Sequence, residues 1–186
     1  ALLHDLGKPA CRLEHGPGDL SFHGHDQEGA ALASAALKRL KFPNAVTERV
    51  EALIRNHMFD YSDAWTDAAV RRFVARVGRP LLEDLIQLRL ADMAGVTGVP
   101  ADPRVLMPLV RRVQELEAKD QAFTIRDMAI KGEDLAAIGW PRGPLMGKVL
   151  IELLDAVLED PELNSKERLL FIAEKLKRKY GLASGT

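Results

Sequence analysis

Asn44-Ala-Val46-Thr-Glu-Arg-Val50-Glu-Ala-Leu53-Ile54-Arg-Asn-His57 sets apolar side chains four, three and one residues apart, with charged residues between them. That is the period of an α-helix with one buried face. Asn44 stands where a cap would stand, after the Phe42-Pro43 turn. His57 lies three after Ile54, four after Leu53 and seven after Val50, so it shares the buried stripe. A helix that ends by pointing an imidazole inward asks for a partner inside.

The same period runs outward in both directions. Downstream, residues 66–77 place Val70, Phe73, Val74 and Val77 inward, and Gly78 ends that helix. Pro80 begins the next, with Leu81, Leu85, Leu88 and Asp92 on one face. Upstream, residues 26–40 predict a helix with Leu32, Ala36 and Leu40 as its stripe. Residues 9–23 are a loop broken by Pro9, Gly16, Pro17, Gly18 and Asp19, and residues 1–8 are the end of a helix stopped by Gly7 and Pro9.

Gly95, Gly98, Pro100 and Pro103 mark a boundary, which divides the chain into residues 1–98 and 99–186. Beyond it come an amphipathic helix over 104–119, a short mixed stretch over 124–132 and a small helix between Gly132 and Gly139. A helix from Pro144 to about Leu158 follows, then a break at Asp160-Pro161. Asn164 or Ser165 caps a last helix to Tyr180. No repeat and no strand is legible, so the fold class is all-α.

Composition agrees. Of 186 residues, 47% are hydrophobic and 28% charged, as in a soluble globular protein, and only 5% are aromatic, which favours helix over sheet. The net charge of −1 gives no global case for nucleic acid. No apolar run is long enough to span a bilayer and no signal peptide is legible. The single Cys11 cannot form an internal disulfide and points to a reducing, cytoplasmic setting. It reads as an incidental small side chain rather than a reactive thiol. The chain starts inside an apolar run without an initiator Met, so a preceding segment is expected.

Chemistry gathers around Leu-Leu-His4-Asp5-Leu-Gly7-Lys8. Asp92 lies four after Leu88 and seven after Leu85, and His25 lies seven before Leu32, so both join His57 in pointing inward. A buried unpaired carboxylate is costly. His4, Asp5, His25, His57 and Asp92 together are best satisfied by one shared partner, a divalent metal. Mixed nitrogen and oxygen ligands without thiolate suit Mn, Co, Ni, Fe, Zn or Mg. Each histidine alone would read as a hydrogen-bonded core residue; the set reverses that. His15 and His23 lack the helical phase and read as exposed.

These residues resemble the HD-domain metal-dependent phosphohydrolases. Phe22-His-Gly-His25-Asp-Gln-Glu-Gly-Ala30, Leu40-Lys-Phe-Pro-Asn44 and Leu53-Ile-Arg-Asn-His57-Met narrow the likeness. They are similar to the HD region of bacterial tRNA nucleotidyltransferases and poly(A) polymerases. So are Ile130-Lys-Gly-Glu-Asp-Leu135, Gly143-Pro-Leu-Met-Gly147 and Val157-Leu-Glu-Asp-Pro-Glu-Leu-Asn164 in the tail. The resemblance implies an HD helical bundle with a C-terminal helical extension. It implies that His4, Asp5 and Asp92 hold a principal metal, and that His25 and His57 hold a second metal or the phosphate of a substrate. By the same likeness Asp5 and Lys8 are catalytic and Lys8 neutralises phosphate. The family's upstream histidine has no counterpart here. The Gly-rich loop and Asp pair of its nucleotidyltransferase head are absent from these residues, so nucleotide addition by them is not expected.

RNA contacts are expected at Lys148, one turn into the helix begun by Gly143-Pro144, and at Arg71 and Arg72. Without the resemblance, that helix start reads as an ordinary proline-initiated one. Lys175, Lys177, Arg178 and Lys179 form a basic run that usually means a solvated face, and no aromatic stacking platform is legible. Two functions follow. The first is metal-dependent hydrolysis of phosphoesters. The alternative is a non-catalytic helical body that positions tRNA for a nucleotidyltransferase head. A nucleotide-signalling hydrolase finds no support in the tail.

Overall fold

A computed structural model describes residues 1–119 and 122–182. The order of elements is β1 (Leu13–Gly16), β2 (Asp19–Ser21), α1 (His25–Arg39), α2 (Asn44–Asn56), α3 (Asp67–Val77) and α4 (Arg79–Thr97). Then come α5 (Met107–Ala118), α6 (Gly132–Ala137), α7 (Pro144–Glu159) and α8 (Lys166–Lys179). The fold is all-α apart from one small hairpin. No described helix is long and apolar enough to cross a membrane. The chain packs as two units: Ala1–Ser62 with Val77–Pro108, and Asp63–Arg76 with Leu109–Thr186.

In the first unit, Ala30 and Ala33 of α1 and Ile54 of α2 form a buried cluster, with Leu3 and Val50 packed on it. The stripe expected on α1 is out of phase. Leu32 and Leu40 are exposed, and Ala30, Ala33 and Leu37 are buried instead. The reason is close approach. A Cβ on Gly7 would lie 2.3 Å from the His25 carbonyl oxygen and 2.5 Å from the Gly29 nitrogen. The N-terminal segment therefore lies backbone to backbone on α1, and only glycine and alanine leave room for it.

Residues 1–11 are turns rather than a helix end. Most of their backbone bonds close over three residues, as in Leu6 N–H to Leu3 C=O at 3.3 Å and Lys8 N–H to Asp5 C=O at 3.0 Å, and Cys11 N–H also reaches the Gly7 C=O at 3.1 Å. The loop over 9–23 contains β1 and β2, paired antiparallel from Leu13 with Ser21 to Gly16 with Asp19. Strands of four and three residues are too short for an alternating pattern to show in sequence. Pro43, not Asn44, precedes the first turn of α2, and Val46 is exposed.

In the second unit, Met128, Ile130, Leu135, Trp140, Val149, Leu153, Val157, Leu169 and Ala173 make the core. Val70, Phe73 and Val74 of α3 are buried, as their spacing implies. Ser165 caps α8 by accepting the Arg168 N–H at 3.3 Å. Asn164 staples two loops: its Oδ1 accepts the Ala129 N–H at 2.8 Å, and its Nδ2 donates to the Asp127 carbonyl at 3.1 Å.

Candidate functional site

The first unit brings all five expected ligands together. Asp5, His25 and His57 form one group and His4, Asp5 and Asp92 another, so Asp5 is common to both. His4 and Asp5 come from the N-terminal turns, His25 from the first residue of α1, His57 from the end of α2, and Asp92 from the fourth turn of α4.

The three imidazoles are oriented alike. His4 Nδ1 lies 2.5 Å from the Ala1 carbonyl, His25 Nδ1 2.8 Å from that of Phe22, and His57 Nδ1 2.6 Å from that of Ile54. A carbonyl only accepts, so each Nδ1 donates and each Nε2 is left to face the centre. There, His4 Nε2 is 3.1 Å from Asp92 Oδ1 and 3.4 Å from Asp5 Oδ2. His25 Nε2 is 3.6 Å from Asp5 Oδ1, His57 Nε2 is 4.0 Å from it, and the two nitrogens are 3.3 Å apart.

Asp5 Oδ1 is buried and accepts no hydrogen bond. Burial holds His57 below the ordinary imidazole value, so its Nε2 presents a lone pair at neutral pH. Burial pushes the Asp92 carboxyl up, but the His4 imidazole and the Arg89 guanidinium outweigh it and hold it below its usual range. Imidazole Nε2 atoms and carboxylate oxygens thus converge on one place. A divalent cation satisfies the whole set, orphaned Oδ1 included.

The outer carboxylate oxygens are held by cations. Lys8 Nζ donates to Asp5 Oδ2 at 2.6 Å and Arg89 Nη1 to Asp92 Oδ2 at 2.8 Å. Lys8 therefore neutralises a ligand here rather than standing free for phosphate. Arg89 was not singled out from sequence, although its place three residues before Asp92 is the spacing at which helical side chains pair. A groove of about 600 Å³ opens beside the cluster, lined by Asp5, Lys8, His25, Asp26, Arg89 and Asp92 among others. His15 and His23 are exposed, and Cys11 is half-buried and free.

The residues expected to meet RNA fall differently, all in the second unit. Arg71 is buried, with Nε on the Leu158 carbonyl at 2.7 Å and Nη2 on that of Glu159 at 3.0 Å. It joins α3 to the end of α7. Arg72 pairs with the Glu159 carboxylate. Lys177, in the middle of the basic run, is buried on the Ile138 carbonyl and Glu174. Lys148 is exposed near the start of α7.

Comparison with known proteins places these units in a family. The family model described as tRNA nucleotidyltransferase domain 2 matches residues 27–173. The A-adding tRNA nucleotidyltransferase of Deinococcus radiodurans is 37% identical over 161 residues, 83% of this chain and 36% of that protein. The CC-adding tRNA nucleotidyltransferase of Thermus thermophilus is 35% identical over 187 residues, 100% of this chain and 41% of that protein. The Multifunctional CCA protein of Legionella pneumophila is 36% identical over 58 residues, 31% of this chain and 13% of that protein. No solved structure gives a significant match.

The chain belongs to the tRNA nucleotidyltransferase family. It spans roughly two-fifths of the length of its first two relatives, 36% of one and 41% of the other. The expectation of an HD-type phosphohydrolase is corrected by these matches. The long relatives are named as nucleotidyltransferases, and the family model is a domain of such enzymes. The hydrolytic roles given to Asp5 and Lys8 by resemblance fall with that reading.

Proposed function

We propose that this chain is the helical body of a tRNA nucleotidyltransferase, and that its task is to hold tRNA for nucleotide addition carried out elsewhere in such a protein. The observation that carries this reading is the family match across residues 27–173, joined to long relatives that add A or CC to tRNA. Lys148, exposed one turn into α7, is a phosphate contact within this proposal. Arg71 serves the fold instead, since its guanidinium is committed to the Leu158 and Glu159 carbonyls.

His4, Asp5, His25, His57 and Asp92 are proposed to hold divalent metal, in the manner of HD sites. What supports this is the convergence of three Nε2 atoms on two carboxylates, one of which has an orphaned buried oxygen. Bound metal would tie the N-terminal turns to α1, α2 and α4. It would also change the sign of the groove. Asp5, Asp26 and Asp92 face Lys8 and Arg89 there, three negative charges against two positive, so a divalent ion turns a net −1 into +1. A groove so charged suits an RNA phosphate, with His25 in its lining.

The test is a gel-shift titration of tRNA with the purified chain, with and without a chelator, alongside Lys148→Glu. A saturable shift that weakens severalfold in Lys148→Glu agrees with the proposal. Absence of any shift for the wild-type chain at low salt rejects it.

A further inference from the structure

One face of α8 is not used by the fold. Phe171 is 61% exposed, while Leu169, Leu170, Ile172, Ala173 and Leu176 around it all pack on the core of the second unit. Arg168, Phe171, Lys175 and Arg178 follow at spacings of three, four and three, which is one stripe on a helix, and all four are exposed. The Lys175 ammonium lies 4.1 Å from the centre of the Phe171 ring.

These cations differ from their neighbours in how they are paired. Lys166 is bonded to Asp134, Lys177 to Glu174 and Lys179 to Glu152. Lys175 and Arg178 meet no carboxylate among the described residues, and Arg168 donates chiefly to the Glu162 carbonyl at 2.7 Å. Of the acids bordering the ring, Glu174 is engaged by Lys177, which leaves Glu167 exposed beside it.

A single exposed aliphatic side chain would need no explanation. An exposed ring with Lys175 over one face and Arg178, bonded to no carboxylate among the described residues, on the same stripe is different chemistry. The ring's other face can stack with any base, and the two cations can meet the phosphates on either side. We propose that Phe171, Lys175 and Arg178 form a contact for an unpaired nucleotide of tRNA, with Phe171 stacking on the base and Lys175 and Arg178 on flanking phosphates. This rests on the tRNA-holding role proposed above. With Phe171 on the face of the base and both cations on phosphates, no base edge is read, so the contact is indifferent to base identity.

The experiment is anisotropy of fluorescently labelled tRNA titrated with the full 186-residue chain across a salt series. Phe171→Ala should weaken binding about 5- to 150-fold, the range for losing one base stack. Phe171→Trp should restore it. Phe171→Leu, apolar but without a π-face, should not. Lys175→Gln with Arg178→Gln should flatten the log–log salt dependence by roughly 1.4, about 0.7 for each lost single-strand phosphate contact. Tight binding by the wild type together with unchanged binding by Phe171→Ala and Phe171→Leu overturns the contact and leaves the tRNA-holding role standing. Failure of the wild type itself to bind overturns both. If affinity is unchanged while Phe171→Ala alters the sedimentation of the chain, the ring belongs to an interface between copies, and the RNA contact is likewise overturned.

Discussion

The Nε2 atoms of His25 and His57 face each other at 3.3 Å, and the Nδ1 of each ring is already bonded to a backbone carbonyl at the end of its own turn. Two imidazoles arranged this way repel unless something positive lies at the centre. Asp5 Oδ1, buried and without a donor, faces the same point. The proposed metal site rests on this relationship.

Asp5 is shared by both ligand groups, so its loss should be felt more than that of any other member. Asp5→Asn should lower affinity for Mn²⁺, Co²⁺, Ni²⁺ or Zn²⁺ by at least about 100-fold, the upper end of what even outer-shell changes cause. Far-UV circular dichroism should be unchanged. Calorimetric titration checks this, and equal affinity in the variant would remove Asp5 from the site.

Gly7 is the position at which packing and site meet. The nearest atoms to an added Cβ are the His25 carbonyl and the Gly29 amide, both backbone, so no side chain can swing away. Gly7→Ala should destabilise the first unit by about 2–3 kcal/mol, as overpacking does. It should also weaken metal binding, because the His25 carbonyl belongs to a site residue. Chemical denaturation followed by metal titration reads both. An unperturbed midpoint would mean that the N-terminal turns do not press on α1.

Asp127 accepts the N–H groups of Thr124 at 2.8 Å and Phe123 at 3.2 Å. Partial burial pushes its carboxyl up, but bonds from Thr124 and Phe123 outweigh this and hold it below the usual value of 3.8. A carboxyl depressed in the folded state stabilises above its unfolded pKa, and the gain is lost as pH falls through the folded value. Asp127→Ala should therefore cost about 1 kcal/mol near neutrality, as for a lost helix cap. The difference should shrink below about pH 4 and vanish in stronger acid. Urea unfolding at several pH values checks this, and a gap independent of pH would assign the loss to packing.

Much of the site was legible because its residues obey helical arithmetic. His57 and Asp92 continue apolar stripes, and the structure brings both to the cluster with His4, Asp5 and His25. What could not be read was contact between distant backbones. Nothing in the order of residues says that Gly7 touches Gly29, and that contact moved the buried face of α1 from Leu32 and Leu40 to Ala30 and Ala33. Arg71 and Lys177 show the same limit. Both sit in apparently solvated basic runs, yet each guanidinium or ammonium reaches a main-chain carbonyl far along the chain. Phe171 errs the other way, as an aromatic in a core-forming helix that the phase of α8 leaves outside.

The central claim is that these helices hold tRNA. Its most direct test is the affinity of the purified chain for tRNA against an unstructured RNA of equal length and charge, measured in competition at near-physiological salt. The account predicts saturable binding, preference for tRNA, and an affinity that falls linearly in log–log form with salt. Equal affinity for both RNAs, or none for either, would contradict it.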